Sequence, residues 1–386
     1  VPKAKNEIVK SYKPGSPERK EVTEAYNKMI NNFTEIPMFI NGNDVKSGKK
    51  NSISPPHDHQ KVVGEYYIAE PNHIDEAIQT ALNAKNKWEN MSWENRSAIF
   101  LKAAELIAGP YRSKINAATM IAQSKTVHQA EIDSACELID FWNFNCWFAQ
   151  ELYNHQPMYS PEPTKNSMEH RPLEGFVFAV TPFNFTSIAA NLPSAPALMG
   201  NVAIWKPASS TVYPAYFIMQ LFKEAGLPDG VINFIPGRGS VVGPLVMDHP
   251  NLAGVHFTGS TSVFQNMWEH IGGNIKQYAT YPRIVGETGG KDFCIAHESV
   301  NQDALVTAMV RGAFEYQGQK CSAMSRAYIP STVWSNIKED LQKEMSTITM
   351  GDPSDFTNFV NAVIDKSAFD SIKDFIDDAS GSDDAE

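Results

Sequence analysis

The sequence predicts an α/β protein, with a parallel sheet covered by helices on both faces and a second α/β domain after it. Three observations carry that prediction. From Gly175 to about Met267, short apolar runs alternate with stretches whose apolar residues recur at helical spacing, and right-handed crossovers of this kind put helices on both faces of a parallel sheet. After Ile284-Val285 the alternation stops and then resumes, so a second domain is expected to begin near Thr288. A chain of 386 residues that is 42% hydrophobic can also bury more than one core.

The first residues read as an extended arm, because Pro14, Gly15 and Pro17 interrupt any period. Ile74, Ala77, Ile78, Ala81 and Leu82 mark one helix, and Ile99, Phe100, Ala103, Ala104 and Ile107 a second that Gly109-Pro110 stops. A longer helix is expected from about Ala130 to Tyr153. Residues 156–172 turn polar and proline-rich, which reads as a loop or exposed hairpin projecting from the domain without ending it. Strands come next at Phe176 to Val180, Asn201 to Trp205, Val231 to Ile235 and Gly254 to Phe257. Helices lie between and after them, from about Ser187, from Pro214 to Ala225, near Val241 and through Met267. That layout is a Rossmann-like dinucleotide domain made of residues 1–155 and 173–287. In residues 288–386 a helix is expected over Asp303 to Tyr316 and a strand over Ala327 to Ile329, with a polar tail from Ser380. No internal repeat is apparent.

With 33 Lys+Arg against 44 Asp+Glu, the formal charge of −11 offers no broad positive field to nucleic acid or anionic lipid. No apolar run approaches the roughly 20 residues that span a bilayer, so no membrane association is expected. The sequence starts at Val1 rather than Met, which fits a processed or recloned protein, and the compartment cannot be read from it directly. Four scattered cysteines without a Cys-x-x-Cys pair imply a reducing compartment, no disulfide framework and no zinc or other metal site. Cys136, Cys146 and Cys294 sit among apolar residues and read as small buried hydrophobes.

Cys321 differs. It follows an apolar helix and stands beside Lys320 in Gly-Gln-Lys-Cys, surroundings that can lower a thiol pKa and favour a thiolate nucleophile; taken alone, it serves equally well as packing. Glu287 in Gly-Glu-Thr-Gly-Gly-Lys, residues 286–291, comes directly after a strand with glycines around it, where a confined carboxylate can act as general base on water. A turn glutamate capping a helix is its other reading. Asn184 lies in Thr-Pro-Phe-Asn-Phe, residues 181–185, at the carboxyl edge of the sheet where ligands of open α/β folds collect. Its amide N–H can stabilise an oxyanion, or it is a structural asparagine in a turn.

Three further segments suit a dinucleotide: Trp-Lys-Pro at 205–207, Gly237-Arg238-Gly239-Ser240 through Gly243, and Phe-Thr-Gly-Ser at 257–260. Lys206 can bond ribose hydroxyls, and Gly259 and Ser260 open a helix whose amino end can hold pyrophosphate. The Gly-x-Gly-x-x-x-Gly spacing departs from the Rossmann fingerprint by one residue.

Together these segments resemble the aldehyde dehydrogenase superfamily, whose Pro-Phe-Asn, Phe-Thr-Gly-Ser, Gly-Glu-Thr-Gly-Gly-Lys and Gly-Gln-x-Cys motifs all occur here in family order. The resemblance spans roughly Ile36 to the end. Within the superfamily the sequence is similar to the 1-pyrroline-5-carboxylate (glutamate γ-semialdehyde) dehydrogenases of eukaryotic mitochondria. Gly-Ser-Pro-Glu-Arg at 15–19, Ala-Glu-Ile-Asp at 130–133, Glu-Leu-Ile-Asp-Phe at 137–141, Leu-Glu-Gly-Phe-Val at 173–177 and Phe-Glu-Tyr-Gln-Gly-Gln-Lys-Cys-Ser-Ala at 314–323 carry that likeness.

The resemblance implies an aldehyde dehydrogenase fold in which Cys321 attacks an aldehyde, Asn184 and the Cys321 backbone N–H receive the oxyanion, NAD accepts hydride, and Glu287 activates water against a thioester. It implies glutamate γ-semialdehyde as substrate, the mitochondrial matrix as compartment, and a homo-oligomer joined through residues 156–172. Thr181, Pro182, Phe183, Lys206, Pro207, Ser209, Gly237, Gly239, Gly259, Ser260, Thr288 and Gly289 become the expected cofactor residues. Phe185, Lys320 and Ser322 flank Asn184 and Cys321 as candidates for the substrate wall, each equally suited to packing. Ser209 stands where many NAD-preferring relatives carry glutamate, so NAD is expected to be preferred and NADP tolerated. In the family a Glu-x-Phe-Gly-Pro segment, a substrate-anchoring loop and an oligomer strand lie past the point matching Glu386, so a protein ending there is expected to be inactive and to aggregate. Other readings are an aldehyde dehydrogenase of different specificity and a non-catalytic protein on this fold; a cysteine hydrolase lacks a histidine motif to pair with Cys321.

Overall fold

A computed structural model describes residues 1–382. Residues 1–16 form an extended arm, and helix α1 (Pro17–Ile30) starts where the Ser16 side chain caps the Arg19 amide. Five short strands come after it: β1 (Thr34–Ile36), β2 (Met38–Ile40), β3 (Asn43–Val45), β4 (Lys50–Ile53) and β5 (Gly64–Tyr67). Next are α2 (Pro71–Glu89), α3 (Trp93–Ala108), α4 (Arg112–Gln123) and the single turn α5 (Val127–Ala130). A π-helical segment, Glu131–Cys136, joins α5 to α6 (Glu137–Asn154).

The alternating half then runs β6 (Phe176–Val180), α7 (Thr186–Leu198), β7 (Ala203–Lys206), α8 (Val212–Ala225), β8 (Ile232–Phe234), α9 (Gly239–Met247), β9 (Leu252–Thr258), α10 (Thr261–Gly273) and β10 (Arg283–Glu287). Last come β11 (Asp292–Ile295), α11 (Gln302–Phe314), β12 (Met324–Tyr328), α12 (Ser331–Ser346) and α13 (Lys366–Gly381). The expected polar tail lies mostly outside the described residues.

One seven-stranded sheet in the order β10-β9-β6-β7-β8-β2-β3 organises the molecule. Strands β10, β9, β6, β7 and β8 are parallel, and the hairpin β2-β3 extends the sheet antiparallel beyond β8. The central strands are buried along nearly their whole length and mostly apolar, with Phe176, Phe178, Ile204, Trp205 and Phe234 inside, because helices cover both faces. The chain moves from β6 out to β8, then returns to place β9 on the other side of β6. That reversal opens a crevice at the carboxyl ends of β6 and β9. A separate pair, β11 with β12, packs with α11 and α12 around a small core of Leu305, Val306, Met309, Val333 and Ile337. A third sheet orders β1-β5-β4.

The predicted segment at 156–172 is exposed except at the half-buried His170 and Pro172, leaves Met158 and Tyr159 in solvent, and contains no strand. Its limbs are joined instead by Gln156, whose side chain accepts from the Met168 amide at 2.9 Å and donates to the Met168 carbonyl at 3.0 Å.

Candidate active site

Because five strands run parallel, their carboxyl ends deliver Thr181–Phe185, Lys206–Ser209, Gly237–Gly239, Gly259–Ser260 and Glu287–Gly289 to one edge of the sheet. The turn after α11 brings Cys321 to the same edge. The thiol donates to Glu287 Oε1 at 3.3 Å. Asn184 Nδ2 donates to the Gln319 carbonyl at 3.0 Å, which ties the loop after β6 to the turn that carries Cys321. Cys321 and Glu287 therefore meet, and Asn184 bonds the backbone two residues before the thiol, although 137 positions separate Asn184 from Cys321 in sequence.

The turn is held in an unfavourable backbone shape. Tyr316, Gln317 and Gly318 have φ of 51°, 55° and 70°, and each of the two non-glycine residues costs of order 1–3 kcal/mol in that region. Surrounding contacts must over-determine it. Tyr316 is fully buried, Gln317 Nε2 donates to the Ala362 carbonyl at 2.8 Å, and the Ile364 amide donates to Gln319 Oε1 at 2.9 Å. On the other side, the backbone after β10 presses against Cys321 so closely that a Cβ on Gly290 would lie 2.4 Å from the Cys321 carbonyl oxygen. Only glycine fits there.

Two expectations about this chemistry need correction. Lys320 does not face the thiol: its ammonium is 3.0 Å from Asp133 Oδ2 and 3.2 Å from Glu315 Oε1, in a buried cluster. Burial, with the hydrogen bond to Glu287 added, instead raises the Cys321 pKa, so the resting group is the thiol. Nor is Glu287 confined; its side chain is exposed to solvent.

A cleft of ≈ 920 Å³, including the solvent at its mouth, opens in front of Cys321. Phe185 and Ser322 line it as expected, while Lys320 does not. Sequence reasoning missed much of its wall, including Glu137 and Phe141, one turn apart on α6, Ile188 and Leu192, one turn apart on α7, and His256 on β9. The i, i+4 spacing was present, but nothing local says which face of a buried helix meets a cleft. Burial raises the Glu137 pKa, and Ser187 Oγ donates to that carboxylate at 2.8 Å. Burial lowers the His256 pKa, and Nδ1 meets the Leu192 carbonyl at 2.9 Å.

The residues expected to hold a dinucleotide also converge. Lys206 is buried, and among the described residues its ammonium has one acceptor, the Pro207 carbonyl at 3.0 Å, which leaves N–H groups for a ligand. A Cβ on Gly239 would touch Lys206 Cε at 3.7 Å, and Ser209 Oγ lies 3.5 Å from the Gly237 carbonyl. Arg238, Gly239 and Ser240 are exposed where α9 opens, and Ser260 caps α10 through the Val263 amide. Two helix amino ends and a buried lysine at one sheet edge suit a diphosphate and its ribose. Thr181 and Pro182 are buried beneath, the Thr181 hydroxyl accepting from Trp205 Nε1 at 3.0 Å, so that side chain is taken up by the sheet. Pro207 is buried as well, Phe183 and Thr288 are half-buried, and Gly289 is exposed beside Glu287.

Residues 43–383 match the sequence profile of the Aldehyde dehydrogenase family. The chain is 46% identical over 384 residues to the probable delta-1-pyrroline-5-carboxylate dehydrogenase of Schizosaccharomyces pombe, covering 98% of this chain and 70% of that protein. It is 45% identical over 388 residues to the mitochondrial delta-1-pyrroline-5-carboxylate dehydrogenase of Dictyostelium discoideum, covering 100% and 70%. The solved delta-pyrroline-5-carboxylate dehydrogenase of Mycobacterium tuberculosis bound with NAD superposes with a TM-score of 0.97 at 47% identity, over 99% of this chain and 72% of that one. With the thiol, carboxylate and amide at one parallel-sheet edge and a family match over most of the length, the chain belongs to the aldehyde dehydrogenase family.

Proposed function

We propose that the protein is an NAD-dependent dehydrogenase that oxidises L-glutamate γ-semialdehyde, formed by opening of 1-pyrroline-5-carboxylate, to L-glutamate. The observation that carries the chemistry is the Cys321 thiol directed at Glu287 at the carboxyl edge of the sheet. Similarity to delta-1-pyrroline-5-carboxylate dehydrogenases over nearly the whole chain supports the substrate.

The thiol of Cys321 gives its proton to Glu287 as sulfur adds to the aldehyde carbon. The Asn184 amide and the Cys321 backbone N–H stabilise the oxyanion that forms. Lys206, Ser209, Gly237, Gly239, Gly259 and Ser260 hold the cofactor at the adjacent edge, with Thr181, Pro182, Phe183, Pro207, Thr288 and Gly289 shaping its bed. Bound NAD supplies the hydride acceptor. The acyl group is then a thioester on Cys321, and Glu287 takes a proton from the water that attacks it. Glu287 can serve both steps because it is exposed and passes its first proton to solvent. Phe185 and Ser322 form the substrate wall beside the thiol.

In this reading residues 1–155 and 173–287 are the NAD-binding domain and residues 288–386 belong to the catalytic domain. The exposed segment 156–172 is the contact of a homo-oligomer, and the compartment is the mitochondrial matrix. Absorbance of NADH with added semialdehyde tests the activity. Cys321→Ala abolishes turnover while NAD affinity stays within a few-fold; residual turnover above a tenth of wild type overturns the nucleophile assignment.

A further inference from the structure

Behind the nucleophile turn lies a buried charge cluster that the chemistry above does not use. Lys125 is fully buried, its ammonium 2.5 Å from Asp133 Oδ2. The same oxygen receives Lys320 at 3.0 Å, so one carboxylate serves two lysines. The Lys125 ammonium also lies 4.4 Å from the ring centroid of Phe185, which walls the cleft, and 4.4 Å from that of Tyr316, which begins the left-handed turn. Lys320 stands 5.4 Å from the Phe185 centroid. The ion pair thus touches the substrate wall, the start of the turn and the residue before the nucleophile.

We infer that Asp133 and Lys125 are positioning residues for the reaction: their ion pair anchors Lys320 and supports Phe185 and Tyr316, so that the strained turn presents Cys321 to Glu287. This rests on the reading of Cys321 as nucleophile. A buried ion pair is costly to desolvate and adds little net stability over an apolar replacement, so its presence is better accounted for by the geometry it fixes. Placement of Asp133 in the π-helical segment fits this, because that segment turns both Glu131 and Asp133 into the interior. Burial depresses the Lys125 pKa to about 8, and the Asp133 carboxylate opposes that shift.

The test removes both charges together, as Lys125→Met with Asp133→Asn, which keeps volume and buried neutrality. Expected are a kcat lowered at least tenfold, an NAD affinity within twofold, and labelling of Cys321 by a bulky maleimide quickened at least fivefold as the turn loosens. Adding Lys320→Met changes these by no more than a further twofold, because all act through the same turn, and Lys320→Arg stays within threefold of wild type. A folded Lys125→Met/Asp133→Asn protein with kcat and labelling within twofold of wild type overturns the inference, as does a loss that multiplies with that of Lys320→Met. If the paired variant does not fold, Lys320→Met alone decides, and unchanged kcat and labelling in it overturn the inference. Labelling needs no turnover, so a wild-type protein without aldehyde oxidation would sink the functional reading while leaving the positioning test intact.

Discussion

Replacing Gly290 by alanine should damage the reaction more than the fold. The new methyl would sit 2.4 Å from the Cys321 carbonyl oxygen, which is backbone and cannot rotate away. Restoring an ordinary C···O separation of about 3.3 Å requires the two segments to part by roughly 0.9 Å. Overpacking of that size typically costs about 1–3 kcal/mol, tolerable for the whole molecule. A displacement of about 1 Å between reacting groups is enough for a loss on the order of 100-fold in kcat. Gly290→Ala is therefore expected to fold with a modestly lower melting temperature and to turn over about 100-fold more slowly. Gly289→Ala is the companion: nothing lies within 4 Å of its Cβ, so folding is preserved and any effect falls on the KM for NAD. NADH absorbance and thermal melts on both proteins give the answer. A Gly290→Ala enzyme with kcat within threefold of wild type would refute the argument that close packing of these two segments sets the nucleophile.

Other outcomes rest on the same geometry. Glu287→Gln should slow both thiol attack and thioester hydrolysis, so that the NADH burst and the steady-state rate fall together; an unchanged steady-state rate excludes Glu287 as the base. Lys206, whose pKa burial brings down to about 8, should bind NAD less well as the pH rises through that value, and Lys206→Met should abolish the dependence seen by titration calorimetry. Glutamate γ-semialdehyde should exceed acetaldehyde and benzaldehyde in kcat/KM, and equal values would discard the substrate assignment. Glu131 is buried and accepts from Arg112, Tyr12, Asn116 and the Lys10 amide, so Glu131→Gln should destabilise by about 3–5 kcal/mol in urea unfolding. Burial would raise the Glu131 pKa, but the hydrogen bond from Arg112 heads the opposing effects, which together hold it below its usual 4.5. Its stabilisation is then present above that value and lost as pH falls through the lower folded one, and a variant with the wild-type acid transition contradicts this.

The alternating half was legible because β6, β7, β8 and β9 are almost entirely buried and read as apolar runs between helices. Cys321, Glu287 and Asn184 were legible because their motifs stand at strand and helix ends. The first five strands were not, since each has only three or four residues and shows no clear period. Helix α1 was hidden for another reason: only Val22, Tyr26 and Met29 face inward in a largely polar stretch. Lys320 was placed wrongly because adjacency to Cys321 says nothing about direction, and the left-handed turn points the ammonium to Asp133, far away in sequence. Glu137 and His256 reach the cleft through packing that no local spacing encodes.

The π-helical segment makes chain length itself a constraint. Such a segment is an α-helix with one residue inserted, and each α-helical residue advances the chain by about 100°. Removing a single residue between Glu131 and Cys136, even the half-buried Ile132, would restore a regular helix and rotate α5 against α6. Glu131, which fastens the amino-terminal arm, and Asp133, which meets Lys125 and Lys320, could not then both keep their partners. Within one subunit the exposed segment at 156–172 can change length without disturbing a core, whereas in these six residues the count itself is fixed by the partners that Glu131 and Asp133 must both reach.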